Sequence, residues 1–219
     1  LNQGRANAHA RREVAFASGA QVISTDFPVW LPDHRVYGAV VFPGSAYLEL
    51  ALSAHGSANA CLVEALTIHE PLMLPDADEI RLQTVVAPEE HAVWSVHILS
   101  IGDAPAVNDP TWKLHASGTL RMWQAEALPA AIEISSLLEE YAEEVDVTEY
   151  YRLLEQIGLA YGPAFRGLMR LRRRDGAALG LARLPVEVTD GSAYQLHPAL
   201  LDSCFHVIGA ALTTSPIET

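Results

Sequence analysis

Two stretches of this chain read as helices with almost no polar face, and a fold that contains such helices has to cover them on every side. The first, "PGSAYLELALSAHG" at residues 43–56, opens on a proline and a small residue and ends on a glycine, as helices commonly do. Ala46, Tyr47, Leu48, Leu50, Ala51 and Leu52 occupy nearly its whole circumference. The second, "HPALLDSCFHVIGAAL" at residues 197–212, follows a His-Pro pair and is again mostly apolar. Strand-like runs follow the first at short spacing: "CLVEALTIHEPLML", "EIRLQTVVAP", "AVWSVHILSIG" and "WKLHASGTLRMW". The alternation in "WSVHILSI" predicts one antiparallel sheet with a single covered face. The expected unit is therefore a sheet wrapped around an apolar helix.

The rest of the chain echoes that unit. Residues 13–31, including "FPVWL", read as short strands, and "VYGAVVF" as one more strand running into Pro43. The acidic, weakly patterned "QAEALPAAIEISSLLEEYAEEVDV" reads as a linker between compact units. Thr148 is placed to N-cap a helix over "EYYRLLEQI", with Gly158 closing it. Asp175-Gly176, between two apolar-patterned runs, signals a hairpin. The predicted organisation is a first unit over residues 1–134, an acidic linker over 135–147 and a second unit over 148–219.

Composition narrows the function. With 219 residues and 50% apolar content the chain can bury a sizeable core. A net charge of −13 speaks against a nucleic-acid partner, which needs a basic face. No run of about 18 residues is free of charges and turn formers, and the N-terminus lacks the apolar segment of a secretory signal; a cytoplasmic protein without a membrane segment is the expectation. Cys61 and Cys204 have neither disulfide-framework nor CxxC spacing and read as buried thiols. One basic island, Arg166, Arg170, Arg172, Arg173 and Arg174, reads either as a solvated hairpin end or as a docking surface for an acidic partner. HExxH, GxxxxGK[ST], GxGxxG and GxSxG are all absent, so the zinc-protease, P-loop, Rossmann and hydrolase-elbow readings lack their signatures.

Two residues invite chemistry. His34 precedes the start of the first apolar helix, where unpaired backbone N–H groups and Gly44 leave room for a carbonyl oxygen. A histidine beside such a carbonyl has the parts for proton abstraction next to it: a base that titrates near neutrality and donors for the enolate oxygen. An isolated histidine near a proline is otherwise a satisfied structural residue. Asp202 lies in the second apolar helix, where a carboxylate is costly unless paired or protonated. It reads either as a first-turn carboxylate beside its own helix dipole or as an acid able to protonate a leaving hydroxyl. His206, four residues on, shares its helical face.

Taken together these residues resemble the dehydratase domain of modular type I polyketide synthases. HxxxGxxxxP reads here as His34, Gly38 and Pro43. GYxYGPxF reads as "GLAYGPAF", with Gly158, Tyr161, Gly162, Pro163 and Phe165 kept and Leu159 in place of the first tyrosine. HPxLLDxxxQ/H reads as "HPALLDSCFH", with His197, Pro198, Leu200, Leu201, Asp202 and His206. The resemblance implies an α+β double hotdog fold, each half wrapping a sheet around its long helix, with the active site between the halves. It implies that His34 removes the α-proton of a β-hydroxyacyl thioester and Asp202 protonates the departing β-hydroxyl. His206 would orient Asp202 or the hydroxyl, Tyr161 would add a hydrogen bond, the Gly44 amide would hold the thioester carbonyl, and Gly38, Pro43 and Pro163 would support the site. The product would be an α,β-unsaturated thioester.

No metal or organic cofactor is implied; the substrate would ride on the phosphopantetheine of an acyl carrier protein. Other domains of a polyketide synthase are the further partners implied, with homodimerisation, and without nucleic acid or membrane. The second hotdog is expected to be incomplete, since the sequence reaches Thr219 soon after "VIGAAL". Related chemistries that keep the same parts are a pyran-forming cyclase and a double-bond-shifting isomerase; a scaffold without catalysis is the remaining alternative.

Overall fold

The computed structural model describes residues 22–23, 28–55, 61–74, 80–101, 112–123 and 131–212. Its strands are β1 (Val22–Ile23), β2 (His34–Val36), β3 (Ala39–Val41), β4 (Cys61–Ile68), β5 (Met73–Leu74), β6 (Arg81–Pro88), β7 (Val93–Ile101), β8 (Lys113–Met122), β9 (Glu143–Val145), β10 (Leu159–Tyr161), β11 (Leu168–Arg174) and β12 (Ala177–Ala182). The helices are α1 (Gly44–His55), α2 (Ile134–Glu140), α3 (Val147–Gln156) and α4 (Pro198–Leu212). Two compact units emerge: Leu1–Val29 with Ala46–Gln124, and Trp30–Ser45 with Ala125–Thr219.

The first unit holds an antiparallel sheet in the order β1-β6-β7-β8-β4. Leu82 and Thr84 on β6, then Val96, Ile98 and Ser100 on β7, are buried at every second position, which is the period-2 signature of a sheet with one covered face. Tyr47, Ala51 and Ala54 of α1 are also buried. A carboxylate interrupts the apolar run of the helix: Glu49 is buried and accepts a hydrogen bond of 2.8 Å from Ser53 Oγ.

The second unit is built on α3, whose apolar residues recur at helical spacing. Tyr150, Tyr151 and Leu154 form a buried cluster with Val145, Leu168, Leu171 and Ala210, while Glu149 and Arg152 pair on the outer face. The sheet here runs β12-β11-β9. α4 packs on β11 and β12, leaving Phe205, Ile208 and Leu212 on its other side exposed.

Several local expectations change. "VYGAVVF" is not one strand: Tyr37 and Gly38, with φ of 50° and 82°, form a two-residue turn between β2 and β3, the both-positive pattern of tight hairpins. "FPVWL" leads into a 3-10 turn over Leu31–Asp33, because Pro32 favours a turn start over a ladder position. The segment expected as an acidic linker contains α2 and β9. β9 pairs with β11 in a register that sets Glu144 against Arg172 and Glu143 against Arg173, and opposite charges across a ladder stabilise it. The same register accounts for two residues of the basic island: Arg173 is buried and bonds Glu143 at 2.7 Å and Arg172 faces Glu144, while Arg174 faces Glu140 of α2.

Asp146, not Thr148, caps α3. Its extended backbone lets the carboxylate accept the Glu149 N–H at 2.9 Å. Cys204 is exposed and Cys61 half-buried, since Cys204 faces away from the sheet on α4. Residues 13–21 and 24–27 of the expected early strands lie outside the described residues.

Candidate active site

The hairpin, β10 and α4 bring the three motifs together inside the second unit. β10 pairs antiparallel with β2, with Tyr161 directly opposite His34. Asp33 fastens the loop that follows: its backbone carbonyl accepts the Gly162 N–H at 2.7 Å and its carboxylate the Ala164 N–H at 2.8 Å. The Asp33 carboxylate thus caps the 3-10 turn Pro163–Phe165, beside the site.

His34 is buried, 7% exposed. Its Nδ1 lies 2.7 Å from the Val41 carbonyl oxygen across the β2–β3 turn. A carbonyl only accepts, so Nδ1 carries the hydrogen and Nε2 presents a lone pair. Nε2 lies 3.8 Å from Asp202 Oδ2. Burial pushes the imidazole below its ordinary value of 6.5, with Asp202 pulling the other way, so the neutral imidazole persists at neutral pH.

α4 carries Asp202. His197 receives the Ala199 N–H on Nδ1 at 3.1 Å and Pro198 occupies the first helical position, so His-Pro is a helix start built from a capping ring and a residue that needs no N–H partner. Asp202 stands beyond the first turn, and the helix-start explanation for its burial falls away. Side chains meet its carboxyl instead: Ser45 Oγ donates to Oδ1 at 3.3 Å, and His206 Nε2 lies 3.0 Å from Oδ2. Ser203, fully buried, ties α4 to the YGPAF loop through Gly167 N and the Phe165 carbonyl.

The walls are aromatic. The Tyr161 ring lies 4.0 Å from that of His206, and Phe165 lies 5.1 Å from His34 between centroids. Burial, and then the nearby Asp202 carboxyl, push the Tyr161 hydroxyl upward, so it stays protonated. Tyr151 reaches His206 from the other side, its hydroxyl 3.3 Å from Nδ1.

Among the expected residues, His34, Asp202, His206 and Tyr161 converge. Gly44 opens α1 beside Ser45, Pro43 is buried just before it and Pro163 starts the 3-10 turn. Gly38 lies at the hairpin tip with open space around it, and its part is the positive φ that returns Val41 to His34. Sequence reading passed over Asp33, Ser45, Tyr151 and Ser203. Adjacency to His34 and to the Pro-Gly helix start marked the first two, whereas nothing in the spacing marked Tyr151. Elsewhere, His115 is buried in the first unit, bonded to Ser100 at 2.7 Å and to the Glu70 carbonyl at 3.2 Å, as a structural histidine.

A buried neutral imidazole nitrogen and a carboxyl 3.8 Å apart can take a proton from one atom of a small substrate and give one to its neighbour. Two family models match the chain: the polyketide synthase dehydratase domain over residues 8–101 and the polyketide synthase dehydratase N-terminal domain over residues 129–219. The mycoketide-CoA synthase of Mycobacterium tuberculosis is 35% identical over 198 residues, covering 88% of this chain and 5% of that protein. The chain thus spans a small part of the curated relatives it matches. The dehydratase domain from the CurF module of the curacin polyketide synthase superposes with a TM-score of 0.80 at 32% identity, covering 90% of this chain and 71% of that one. Two inactive mutants of the CurK dehydratase also match. One replaces a histidine by phenylalanine, with a TM-score of 0.79, 29% identity and coverage of 88% of this chain and 69% of that one. The other replaces an aspartate by asparagine, with a TM-score of 0.77, 28% identity and coverage of 89% and 68%.

Proposed function

This chain belongs to the dehydratase domains of polyketide synthases and has their double hotdog fold, and from that premise we propose that it removes water from a β-hydroxyacyl thioester delivered by an acyl carrier protein. The observation that carries the reading is the pairing of the bare His34 Nε2 with Asp202 Oδ2 across 3.8 Å. Loss of activity in CurK on replacing one histidine or one aspartate supports it.

His34 Nε2 takes the α-proton, and the C–H electron pair becomes the new carbon–carbon double bond as the β-carbon–oxygen bond breaks. Asp202 gives its proton to the departing hydroxyl, which leaves as water. The α-proton of a thioester is weakly acidic and hydroxide is a poor leaving group, so base and acid are needed together. The Gly44 N–H, at the start of α1, polarises the thioester carbonyl, and the Tyr161 hydroxyl hydrogen-bonds the substrate. After elimination His34 holds a proton that Asp202 lacks, and their closeness lets it pass back.

The test is mass spectrometry of a β-hydroxyacyl carrier-protein thioester incubated with the chain. The expected result is the loss of one water by the wild type and no change with Asp202→Asn, which keeps the shape of the acid without its proton. An unchanged substrate mass with the wild type on a panel of chain lengths would overturn the reading.

The base assignment also predicts the pH dependence. His34 must be neutral to act, and burial lowers its pKa, so kcat/KM for a pantetheine thioester falls only as the pH drops through a midpoint below 6.5. A low-pH limb centred above 6.5 would contradict a desolvated histidine base.

A further inference from the structure

Beyond His34 and Asp202, a hydrogen-bonded chain leads from the acid into the protein: Asp202 Oδ2, His206 Nε2 at 3.0 Å, then His206 Nδ1 and the Tyr151 hydroxyl at 3.3 Å. The Tyr151 oxygen is also 3.3 Å from the Phe165 carbonyl oxygen and receives the Leu168 N–H at 3.2 Å. A tyrosine hydroxyl has one hydrogen to give, and here it has two acceptors at the same distance.

We propose that Tyr151 is a positioning residue for the proton of Asp202, acting through the tautomer of His206. This rests on the function proposed above. Two proton arrangements satisfy every group. In the first, Asp202 Oδ2–H donates to His206 Nε2, His206 Nδ1–H donates to the Tyr151 oxygen, and Tyr151 O–H donates to the Phe165 carbonyl. In the second, Asp202 is ionised, His206 Nε2–H donates to it, and Tyr151 O–H turns to His206 Nδ1. The Phe165 carbonyl then takes the Ser203 hydroxyl, 3.2 Å away, which otherwise donates to the Ala199 carbonyl at 2.8 Å. The second holds one proton fewer, the one Asp202 has given to the departing hydroxyl, and the Tyr151 hydroxyl serves both states by changing from acceptor to donor.

The surroundings favour this reading over a merely structural one. Tyr151 is buried and burial pushes its hydroxyl up to about 12, so it always holds the proton it has to turn. The guanidinium of Arg166 lies over its ring at 5.6 Å. The neighbouring Tyr150 hydroxyl is engaged with the His206 backbone carbonyl at 2.6 Å and leaves the ring nitrogens to Asp202 and Tyr151. Without the Tyr151 hydroxyl, the first arrangement buries an unpartnered Nδ1–H, and buried N–H groups are the ones proteins least tolerate unpaired. His206 is then biased to the tautomer that keeps Asp202 ionised, and the acid is lost.

The experiment uses the 219-residue chain and two readouts. In 15N NMR of the wild type across a range of pH, with His206→Gln identifying the signals, the His206 ring nitrogens should show both tautomers. Tyr151→Phe should move them to the Nε2–H form. A wild type fixed in one tautomer overturns the proposal without any need for the variant to fold. On a pantetheine thioester, Tyr151→Phe should lower kcat about 10-fold or more at unchanged KM. In a His206→Gln background the same change should cost less than 3-fold, because an amide has no tautomer to set. Equal losses in both backgrounds mean a structural role and overturn the proposal. If the wild type dehydrates nothing while the NMR shift follows Tyr151, the functional reading fails and the positioning role stands.

Discussion

His34→Phe should lower turnover by about 10³-fold or more while leaving a folded protein, since a general base contributes roughly 10²–10⁴-fold. The substitution removes the Nε2 lone pair, the only basic nitrogen that His34 turns toward Asp202. It also leaves the Val41 carbonyl without the Nδ1–H donor, which costs about 1 kcal/mol. The cost is partly offset, because an apolar ring fits among Phe165 and Tyr161, whose centroids lie 5.1 and 5.6 Å from that of His34. A stability change of about 1 kcal/mol corresponds to a shift in Tm of roughly 2–4 °C in a chain of this size. The check is a single-turnover assay that reads water loss by mass, beside a thermal melt of the same preparation. A variant that keeps more than about a tenth of the activity would mean that another group takes the α-proton, well short of the loss expected for a removed base. His206 would be the first to test, because its Nε2 touches the same carboxylate oxygen.

The sequence carried His34, Asp202 and the main elements more fully than their supports, for a physical reason. His34 and Asp202 stand in strings whose intervals are fixed by the backbone: a two-residue turn that needs Gly38, and a helix that sets Asp202 and His206 one turn apart. Such short-range constraints leave a readable spacing. Asp33 and Tyr151 act on partners far along the chain, Ala164 and His206, with separations of 131 and 55 residues. Local periodicity records nothing of them, and Tyr151 looks like one more core residue on the apolar face of α3. The segment expected as an acidic linker shows the same limit from the other side. Glu143 and Glu144 read as solvated charge until β11 supplies Arg173 and Arg172 opposite them. Compositional polarity can report either exposure or a charged partner, and one sequence does not separate the two.

Gly162→Ala should damage the site from two sides, and the reason is space, not backbone freedom. Gly162 has φ −79° and ψ 179°, a conformation open to every residue. A Cβ there would stand 2.8 Å from the Cβ of Asp33 and closer still to its carboxyl group. The carboxylate would have to leave the Ala164 N–H it now accepts at 2.8 Å, and the Gly162 N–H bond to the Asp33 carbonyl would be strained with it. Asp33 immediately precedes His34 and Gly162 immediately follows Tyr161, so the displacement reaches both sides of the site at once. Overpacking of this kind costs about 1–3 kcal/mol, and a shift of roughly 1 Å in a catalytic group can cost about 10²-fold in rate. The expected result is a lower Tm together with about a 10²-fold loss in kcat. The companion variant Asp33→Ala removes the cap but also the obstruction, so the double variant Asp33→Ala/Gly162→Ala should lose less than the two single losses combined, as contacting pairs do. Strict additivity, or a Gly162→Ala variant with wild-type turnover, would show that the Asp33 clamp does not set the distance between His34 and Asp202.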